Sequence, residues 1–295
     1  MKAIEAFLVS SFTKDGTGGN PAGVVLHAEA LSNEEKLKIA QAVGYSETAF
    51  VSRDDEVDFE VSFFTVTDEV DFCGHATLAV FSILYQENII NAGRYVQRTK
   101  AGLLGVTIET NGQITMEQAL PEYRGELSYE VISTLIGIAP EVIRSTQLPV
   151  EVVSTGLPDI IVPLPNGYLD SIEINEELTR HFCKEHEVVG IHAFELYEQN
   201  ADMTASCRNF APLFGIAEES ATGSASGALA CYLTKHLRSA DTHHFVFEQG
   251  RAMHCISRIT ASTESDKQGI TKVRVGGFAR TIGRQSININ NKWFG

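Results

Sequence analysis

Four short segments of this 295-residue chain recur in the same order about half a chain length later. Ala49 begins one first copy and Ala193 its repeat, while Phe64 and Phe210 begin another pair. The paired segments are AFV and AFEL, FTV and FAP, CGHATLAVFSILY and TGSASGALACYL, and GNPAGVVL and GLPDIIVPL. Because a repeated sequence forms the same structural unit again, this pattern predicts two similar domains made by internal duplication.

Each copy combines strand and helix patterns, which predicts an α+β fold. The segment VDFEVSFFTV alternates like a strand with one buried face, and SNEEKLKIAQAV has one apolar helical stripe with Ser32 or Asn33 as its N-cap. ATLAVFSILYQ is apolar nearly all round, and SGALACYLTKHL is its counterpart. A helix of this kind is buried, so we expect each domain to be a sheet wrapped around a central apolar helix.

The domain boundary is predicted near the middle of the chain. We place the first α+β domain at residues 1–120 and the second at 121–282, with a C-terminal tail at 283–295 that could return to the first domain. The crossover between Leu120 and Val150 carries its own short helix pattern, SYEVISTLIGI.

The charge and cysteine content exclude several classes of partner. The chain has 38 Asp and Glu against 23 Lys and Arg, with no basic run, so we expect no nucleic-acid or membrane partner. No apolar run reaches the roughly 18 residues of a membrane span, and the N-terminus lacks signal-peptide features. Five scattered cysteines without a CxxC pair indicate reduced thiols in the cytoplasm and no zinc site.

Both central helices begin at loops of small residues, CGHAT and ATGSASG. A helix N-terminus offers unpaired N–H groups and the positive end of the helix dipole, which suit a carboxylate. If the two halves face each other, both N-termini would point at one cleft. The alternative is that small residues only permit tight helix packing.

Several motifs carry a resemblance to a known family. GGNPAGVV, SETAF, FFTVTDEVDFCGHATLA, STGLPDIIVPL, FAPLFGIAEESATGSASGALA and VRVGGFA resemble, in this order, the motifs of the PhzF-like (phenazine biosynthesis) family. The similarity runs from about Phe7 to about Ile282. It implies the diaminopimelate-epimerase fold, isomerase activity and a homodimer.

The resemblance assigns the acid/base chemistry to two residues of the first half. Glu47 in SETAF would otherwise be a solvated or capping residue, and the resemblance implies that it is the catalytic acid/base. A lone carboxylate can do this work if burial raises its pKa towards neutrality. The repeat has Ile191 and His192 near the matching position and no carboxylate there, so a single acid/base fits better than two symmetric ones. His75 would otherwise cap or pack, and the resemblance implies that it assists beside Glu47.

In the second half the resemblance points to Glu219, where family members commonly have Asp. The segment EES at 218–220 replaces Glu-Asp-Pro, so the carboxylate is one methylene longer. Since proline restricts its own backbone and that of its predecessor, its loss is expected to free the loop.

Four further residues are expected to bind or position the substrate. Gly223 and Ser224 keep the family pattern and are implied to bind a substrate carboxylate through N–H groups and a hydroxyl. Gly74 has the equivalent place at the first central helix. Asn20 in GNPAG is expected to be a turn residue that positions the site.

Cys73 is predicted to be an inert small residue. A two-thiol epimerase would need a second cysteine where this chain has Thr222, and Cys231 falls inside a helix as a core residue. A Cys73–His75 nucleophile pair would need a third orienting residue, and none is evident from the sequence. Further on, FEQGRAMHCISRI is expected to be a strand.

These features together predict a cofactor-independent isomerase that moves a proton within a small carboxylic acid at a site between the two domains. The chain has no dinucleotide fingerprint and no P-loop, so neither an organic cofactor nor a metal is expected. Two alternatives stay open. One is an amino-acid epimerase or racemase on the same fold, and the other is a binding protein that has lost activity.

Overall fold

The computed structural model describes residues 2–198, 201–237 and 241–289, which divide into two compact units. The first unit contains the chain up to Met116 together with the segment from Gly277 onwards, and the second runs over Glu117–Gly276. Positions 290–295 of the predicted C-terminal tail lie outside the described residues.

The described elements follow one another in mixed order. The first run is β1 (Lys2–Ser11), β2 (Asn20–Val25), α1 (Asn33–Val43), β3 (Thr48–Ser52), β4 (Phe59–Phe64), β5 (Glu69–Val70), α2 (Gly74–Gln86), β6 (Gly93–Thr99), β7 (Gly102–Ile108) and β8 (Ile114–Glu117). The second is β9 (Glu122–Leu127), α3 (Tyr129–Ile136), α4 (Pro140–Arg144), β10 (Val150–Ser154), β11 (Pro158–Leu164), α5 (Glu176–Glu185), β12 (Gly190–Leu196), β13 (Ala205–Ala211), β14 (Ile216–Glu219), α6 (Gly223–Leu237), β15 (Thr242–Gln249), β16 (Ser257–Asp266) and β17 (Gly269–Gly277). The last is β18 (Ala279–Ile289), which pairs with β1.

The strand pairing of the first unit is repeated in the second. β1 pairs antiparallel with β2, β2 parallel with β3, β3 antiparallel with β4, and β4 antiparallel with β5 and parallel with β6. The same five relations, in the same order, join β10, β11, β12, β13, β14 and β15. The α+β class and the internal duplication predicted from the sequence are therefore confirmed.

A buried helix lies at the centre of each unit. Every residue of α2 from His75 to Leu84 is buried, and the helix packs against β1, β2, β3 and β18. Its counterpart α6 is buried from Ala225 to Thr234 and packs against β10, β11, β15 and β16. Both helices thus have the all-round apolar environment that their sequences indicate. Among the described residues, no helix is both long and apolar enough to cross a bilayer.

Helix α1 has defined ends, and these fix the start of the loop that carries Glu47. Ser32 Oγ accepts from the Glu35 N–H at 3.3 Å, and Glu35 Oε2 accepts from the Ser32 N–H at 2.9 Å, which completes a capping box. Gly44 ends the helix in the left-handed conformation, with φ of 74°. The chain therefore turns at a glycine three residues before Glu47.

The expectation of a continuous strand over FEQGRAMHCISRI is wrong. β15 ends at Gln249, a 3₁₀ turn covers Arg251–Met253, and β16 begins at Ser257. Gly250 has φ of 83°, and a Cβ there would lie 2.3 Å from the Cys255 carbonyl oxygen. The Cys255 N–H donates to the Gly250 carbonyl at 3.1 Å, so the glycine closes a tight turn between the two strands.

Candidate active site

A backbone hydrogen bond fixes the position of Glu47. It lies in the loop between α1 and β3, where its carbonyl oxygen accepts from the Gly23 N–H at 3.0 Å. Gly23 sits opposite Thr48 in the parallel pair of β2 and β3, and a Cβ on Gly23 would lie 2.7 Å from Thr48 Oγ1. The second glycine of GNPAG thus permits the close strand approach that fixes Glu47.

His75 lies beside Glu47 at the start of α2. The Ser11 hydroxyl donates to the His75 carbonyl oxygen at 2.7 Å and ties the first turn of the helix to β1. His75 Nε2 is 3.2 Å from Glu47 Oε2, and the two side chains are only 6% and 17% exposed. The structure therefore brings together the two first-half residues to which the family resemblance assigned acid/base chemistry.

Cys73 also contacts this imidazole and lies nearest to its other nitrogen. It is the N-cap of α2, but its side chain makes no capping hydrogen bond, and its Sγ lies 3.3 Å from His75 Nδ1. The imidazole thus contacts both a thiol and the carboxylate of Glu47. The sequence indicated no third partner for Cys73 and His75, and the structure corrects this, since Glu47 is that partner.

The ionisation of the pair differs from the expectation. Burial alone would raise the pKa of Glu47, but the contact with His75 and a hydrogen bond with Ser46 outweigh burial and hold that pKa below its usual value of 4.5. Burial would lower the pKa of His75, but Cys73 and Glu47 hold it well above 6.5. Burial also raises the pKa of Cys73. At neutral pH the cluster therefore contains a carboxylate base, an imidazolium acid and a neutral thiol.

We expect His75→Gln to raise the pKa of Glu47. The variant removes the cation that contributes most to lowering this pKa, so only the Ser46 hydrogen bond still opposes the effect of burial. The acid limb of the rate of proton exchange against pH should then move to higher pH than in the wild type. His181→Gln, at an exposed position of α5, is the matched control. An acid limb at the wild-type pH in His75→Gln would contradict the pairing.

Glu219 belongs to the second unit, where it ends β14. The Thr222 hydroxyl donates to Glu219 Oε2 at 2.6 Å. Gln249, which is fully buried, donates through Nε2 to the Glu219 carbonyl at 2.7 Å and to Thr222 Oγ1 at 3.0 Å, and its Oε1 accepts from the Thr222 N–H at 3.1 Å. The Ser257 hydroxyl also donates to the Ser220 carbonyl at 2.7 Å. These hydrogen bonds hold the loop in the absence of proline, and the expected gain in loop freedom stays a prediction.

The neighbouring carboxylate has a different partner. Glu218 accepts two hydrogen bonds from the Arg208 guanidinium, at 2.9 and 2.8 Å, so it is engaged in a bidentate ion pair. Gly223 is the buried first residue of α6, and the Ser224 carbonyl accepts from Thr155 Oγ1 at 3.2 Å. Because Glu218 is paired with Arg208, Glu219 is the acidic residue of this segment that lies beside the start of α6.

Asn20 and Gly74 lie in the first unit, with Glu47 and His75. Asn20 is the first residue of β2, is 6% exposed and stands opposite Ser11 in the antiparallel pair with β1. Gly74 is the first residue of α2, and a Cβ there would meet nothing closer than 4.0 Å. Packing therefore does not require glycine at position 74, which is consistent with a role in leaving space beside the helix N-terminus.

We expect Thr222→Val to weaken catalysis without unfolding the chain. Valine keeps the shape of threonine but removes the donor to Glu219 and an acceptor for Gln249, a loss of about 1–3 kcal/mol where buried groups stay unpaired. The ratio kcat/KM should fall about tenfold. Thr271→Val, at an exposed position of β17, is the control and should leave it unchanged. Wild-type kcat/KM in Thr222→Val would argue against a role for Glu219.

A third polar group is buried deeper in the second unit. Asp159 is fully buried, and neither carboxylate oxygen has a hydrogen-bond partner among the described residues. Burial raises its pKa to about 8, the amide of Asn209 partly offsets this, and the charge of Glu219 adds to it. His192 is also fully buried, with Nδ1 3.2 Å from Asn209 Nδ2, and burial lowers its pKa to about 3. Both Asp159 and His192 are therefore neutral at pH 7.

The sequence did not single out Thr222 and Gln249 as supports of Glu219. The retained Gln249-Gly250 step was the available signal, but the partners lie about 30 positions apart along the chain and meet only through the fold. The sequence signal that Cys73 could contact His75 was its position two residues earlier in the chain.

Comparison with known proteins identifies relatives along nearly the whole chain. The sequence profile described as "Phenazine biosynthesis-like protein" matches residues 9–284. The chain is 32% identical to the uncharacterized isomerase YfhB of Bacillus subtilis, over 95% of this chain and 97% of that protein. It is 26% identical to the trans-2,3-dihydro-3-hydroxyanthranilate isomerase of Pseudomonas fluorescens, over 95% and 98%. The crystal structure of a Bacillus anthracis PhzF-family protein superposes with a TM-score of 0.89 at 28% identity, covering 98% and 100%.

Proposed function

This chain belongs to the phenazine biosynthesis-like family of isomerases, and on that premise we propose that Glu47 moves a proton between two carbon atoms of a small carboxylic acid. The observation that supports this most directly is the contact of 3.2 Å between Glu47 Oε2 and His75 Nε2 in a nearly buried setting. It places a charged base and a charged acid side by side, as a proton transfer at carbon needs.

The proposed reaction has two balanced steps. The Glu47 carboxylate first takes a proton from a carbon next to a carbonyl or carboxyl group, and the electron pair of that C–H bond moves into the substrate. The His75 imidazolium stabilises the negative charge that forms on the substrate oxygen. Glu47, now protonated, then returns the proton to a second carbon, so no cofactor is consumed.

Substrate binding is proposed to use the residues that the sequence singled out. Gly74 leaves space beside the unpaired N–H groups of the first turn of α2, and Asn20 positions the loop. From the second unit, Gly223 and Ser224 are proposed to bind a substrate carboxylate and Glu219 to assist the chemistry. The named substrate of the Pseudomonas fluorescens relative favours a cyclic amino carboxylic acid. Homodimerisation and a cytoplasmic location stay predictions.

A panel of small cyclic and amino carboxylic acids in deuterated water tests the proposal. The purified chain is incubated with each compound, and one- and two-dimensional NMR records deuterium entering carbon positions. Exchange together with a shifted double bond supports the isomerase. Exchange with inversion at one stereocentre would replace it with an epimerase, and ligand-induced stabilisation without exchange would favour a binding protein.

A further inference from the structure

Glu47, Cys73 and His75 form a cluster that suits a metal ion. One potential ligand atom from each lies within 4.8 Å of the others, and no other three acidic, histidine or cysteine side chains among residues 2–198, 201–237 and 241–289 converge in this way. Carboxylate, thiolate and imidazole are the donor types that bind Zn²⁺ in proteins. From this convergence we propose that the cluster binds a thiophilic divalent cation such as Zn²⁺, and that the bound cation inhibits the isomerase.

The distances fit a tetrahedral cation with small adjustments. Bonds of about 2.0–2.3 Å from Zn²⁺ to nitrogen, oxygen and sulfur place neighbouring ligand atoms roughly 3.2–3.8 Å apart. His75 Nε2 lies 3.2 Å from Glu47 Oε2 and 3.9 Å from Cys73 Sγ. Cys73 Sγ lies nearer to Nδ1, at 3.3 Å, so the imidazole ring has to turn for Nε2 to face both other donors. Three protein ligands leave the fourth position open, as in zinc sites that exchange a ligand.

The charges and donor types favour soft cations over hard ones. Coordination would release the protons of the Cys73 thiol and the His75 imidazolium to solvent. The thiolate and the Glu47 carboxylate would then carry two negative charges, which one divalent cation neutralises. Mg²⁺ and Ca²⁺ prefer shells made of oxygen, and this cluster offers oxygen from Glu47 alone. The site should therefore bind Zn²⁺ or Co²⁺ and discriminate against Mg²⁺.

Inhibition follows from where the cation would sit. Coordination uses the lone pair with which Glu47 would take the substrate proton and displaces the proton of the His75 imidazolium, so a loaded site has neither base nor acid available. This inhibitory part depends on the proposed function of Glu47, whereas binding of the cation does not.

Titration with Co²⁺ tests the site without measuring turnover. Thiolate coordination gives a sulfur-to-Co²⁺ charge-transfer band, and we expect one Co²⁺ per chain, displaced by Zn²⁺ and not by Mg²⁺. Cys73→Ser should abolish the band and weaken Zn²⁺ binding by at least about 100-fold, since loss of even an outer-shell partner costs 10- to 100-fold. Cys255→Ser is the control, because Cys255 is the only cysteine that is not fully buried, and the band should persist.

The proposal is overturned if wild type gives no charge-transfer band, if the band survives in Cys73→Ser, or if it disappears in Cys255→Ser. Should Cys73→Ser fail to fold, Glu47→Gln decides, because it keeps the thiol and should weaken Zn²⁺ binding by at least about tenfold. Exchange activity without a band would refute the cation site alone. A band in the loaded protein together with no exchange by the metal-free protein would leave the cation site standing and refute the isomerase.

Discussion

Glu47→Gln is expected to lower the rate of proton exchange by about 1,000-fold, within the range that a positioned general base supplies. Glutamine keeps the shape of glutamate but cannot take up a proton, and no other carboxylate among the described residues forms an ion pair with His75. A 1,000-fold loss corresponds to about 4 kcal/mol of transition-state stabilisation.

The comparison needs a control for the loss of one negative charge. Glu109→Gln makes the same chemical change at an exposed position just after β7 and should retain the wild-type rate. Circular dichroism and thermal melting of both variants establish that the fold is intact. A Glu47→Gln rate within tenfold of the wild type would remove Glu47 from the mechanism.

Asp159→Asn is expected to stabilise the protein, by about 3 kcal/mol at pH 8, even though it changes a buried residue. The pKa of Asp159 is raised from 3.8 to about 8, so the folded state holds a proton that the unfolded state has released. The free energy of unfolding then falls by about 1.4 kcal/mol per pH unit between these two values, up to about 6 kcal/mol in total. Asparagine removes this penalty, but burying its own amide costs about 1–3 kcal/mol, which offsets part of the gain in stability.

Urea unfolding at pH 5 and pH 8 measures the effect. The difference between Asp159→Asn and the wild type should be small at pH 5 and grow as the pH rises, because only the wild type carries this carboxyl group and all other titrating groups are common to both proteins. Asp241→Asn, an exposed position in the same unit, should follow the wild-type curve. Equal stability of Asp159→Asn and wild type at pH 8 would show that the carboxyl group ionises normally in the folded protein.

Much of the fold could be predicted because periodicity and repetition depend on local sequence. The all-round apolar segments after Gly74 and Gly223 became the two central helices, and Ser32 became the N-cap of α1. The order of the paired segments indicated the duplication, which the strand pairing repeats. The turn at Gly250 could not be predicted from alternation, since its left-handed backbone depends on contact with Cys255.

Less of the candidate site than of the fold could be predicted from the sequence. Glu47 and His75 could be chosen through the family resemblance, but the direction of the pKa shift of Glu47 depends on a distance of 3.2 Å that no motif contains. Cys73 faces the imidazole because the N-cap backbone is extended, with φ of −145° and ψ of 117°. Gln249 supports Glu219 from a distant strand. In each case the missing information was a tertiary contact.

Chemical rescue of Glu47→Ala tests the role of Glu47 as the base most directly. Alanine removes the carboxylate and leaves room beside His75, so a small external carboxylate such as formate can take its place. We expect deuterium exchange into the substrate to be lost in Glu47→Ala and restored in proportion to added formate, with acetate differing according to its basicity and size. If Glu47→Ala exchanges deuterium at the wild-type rate without any added carboxylate, another group moves the proton and Glu47 is not the base.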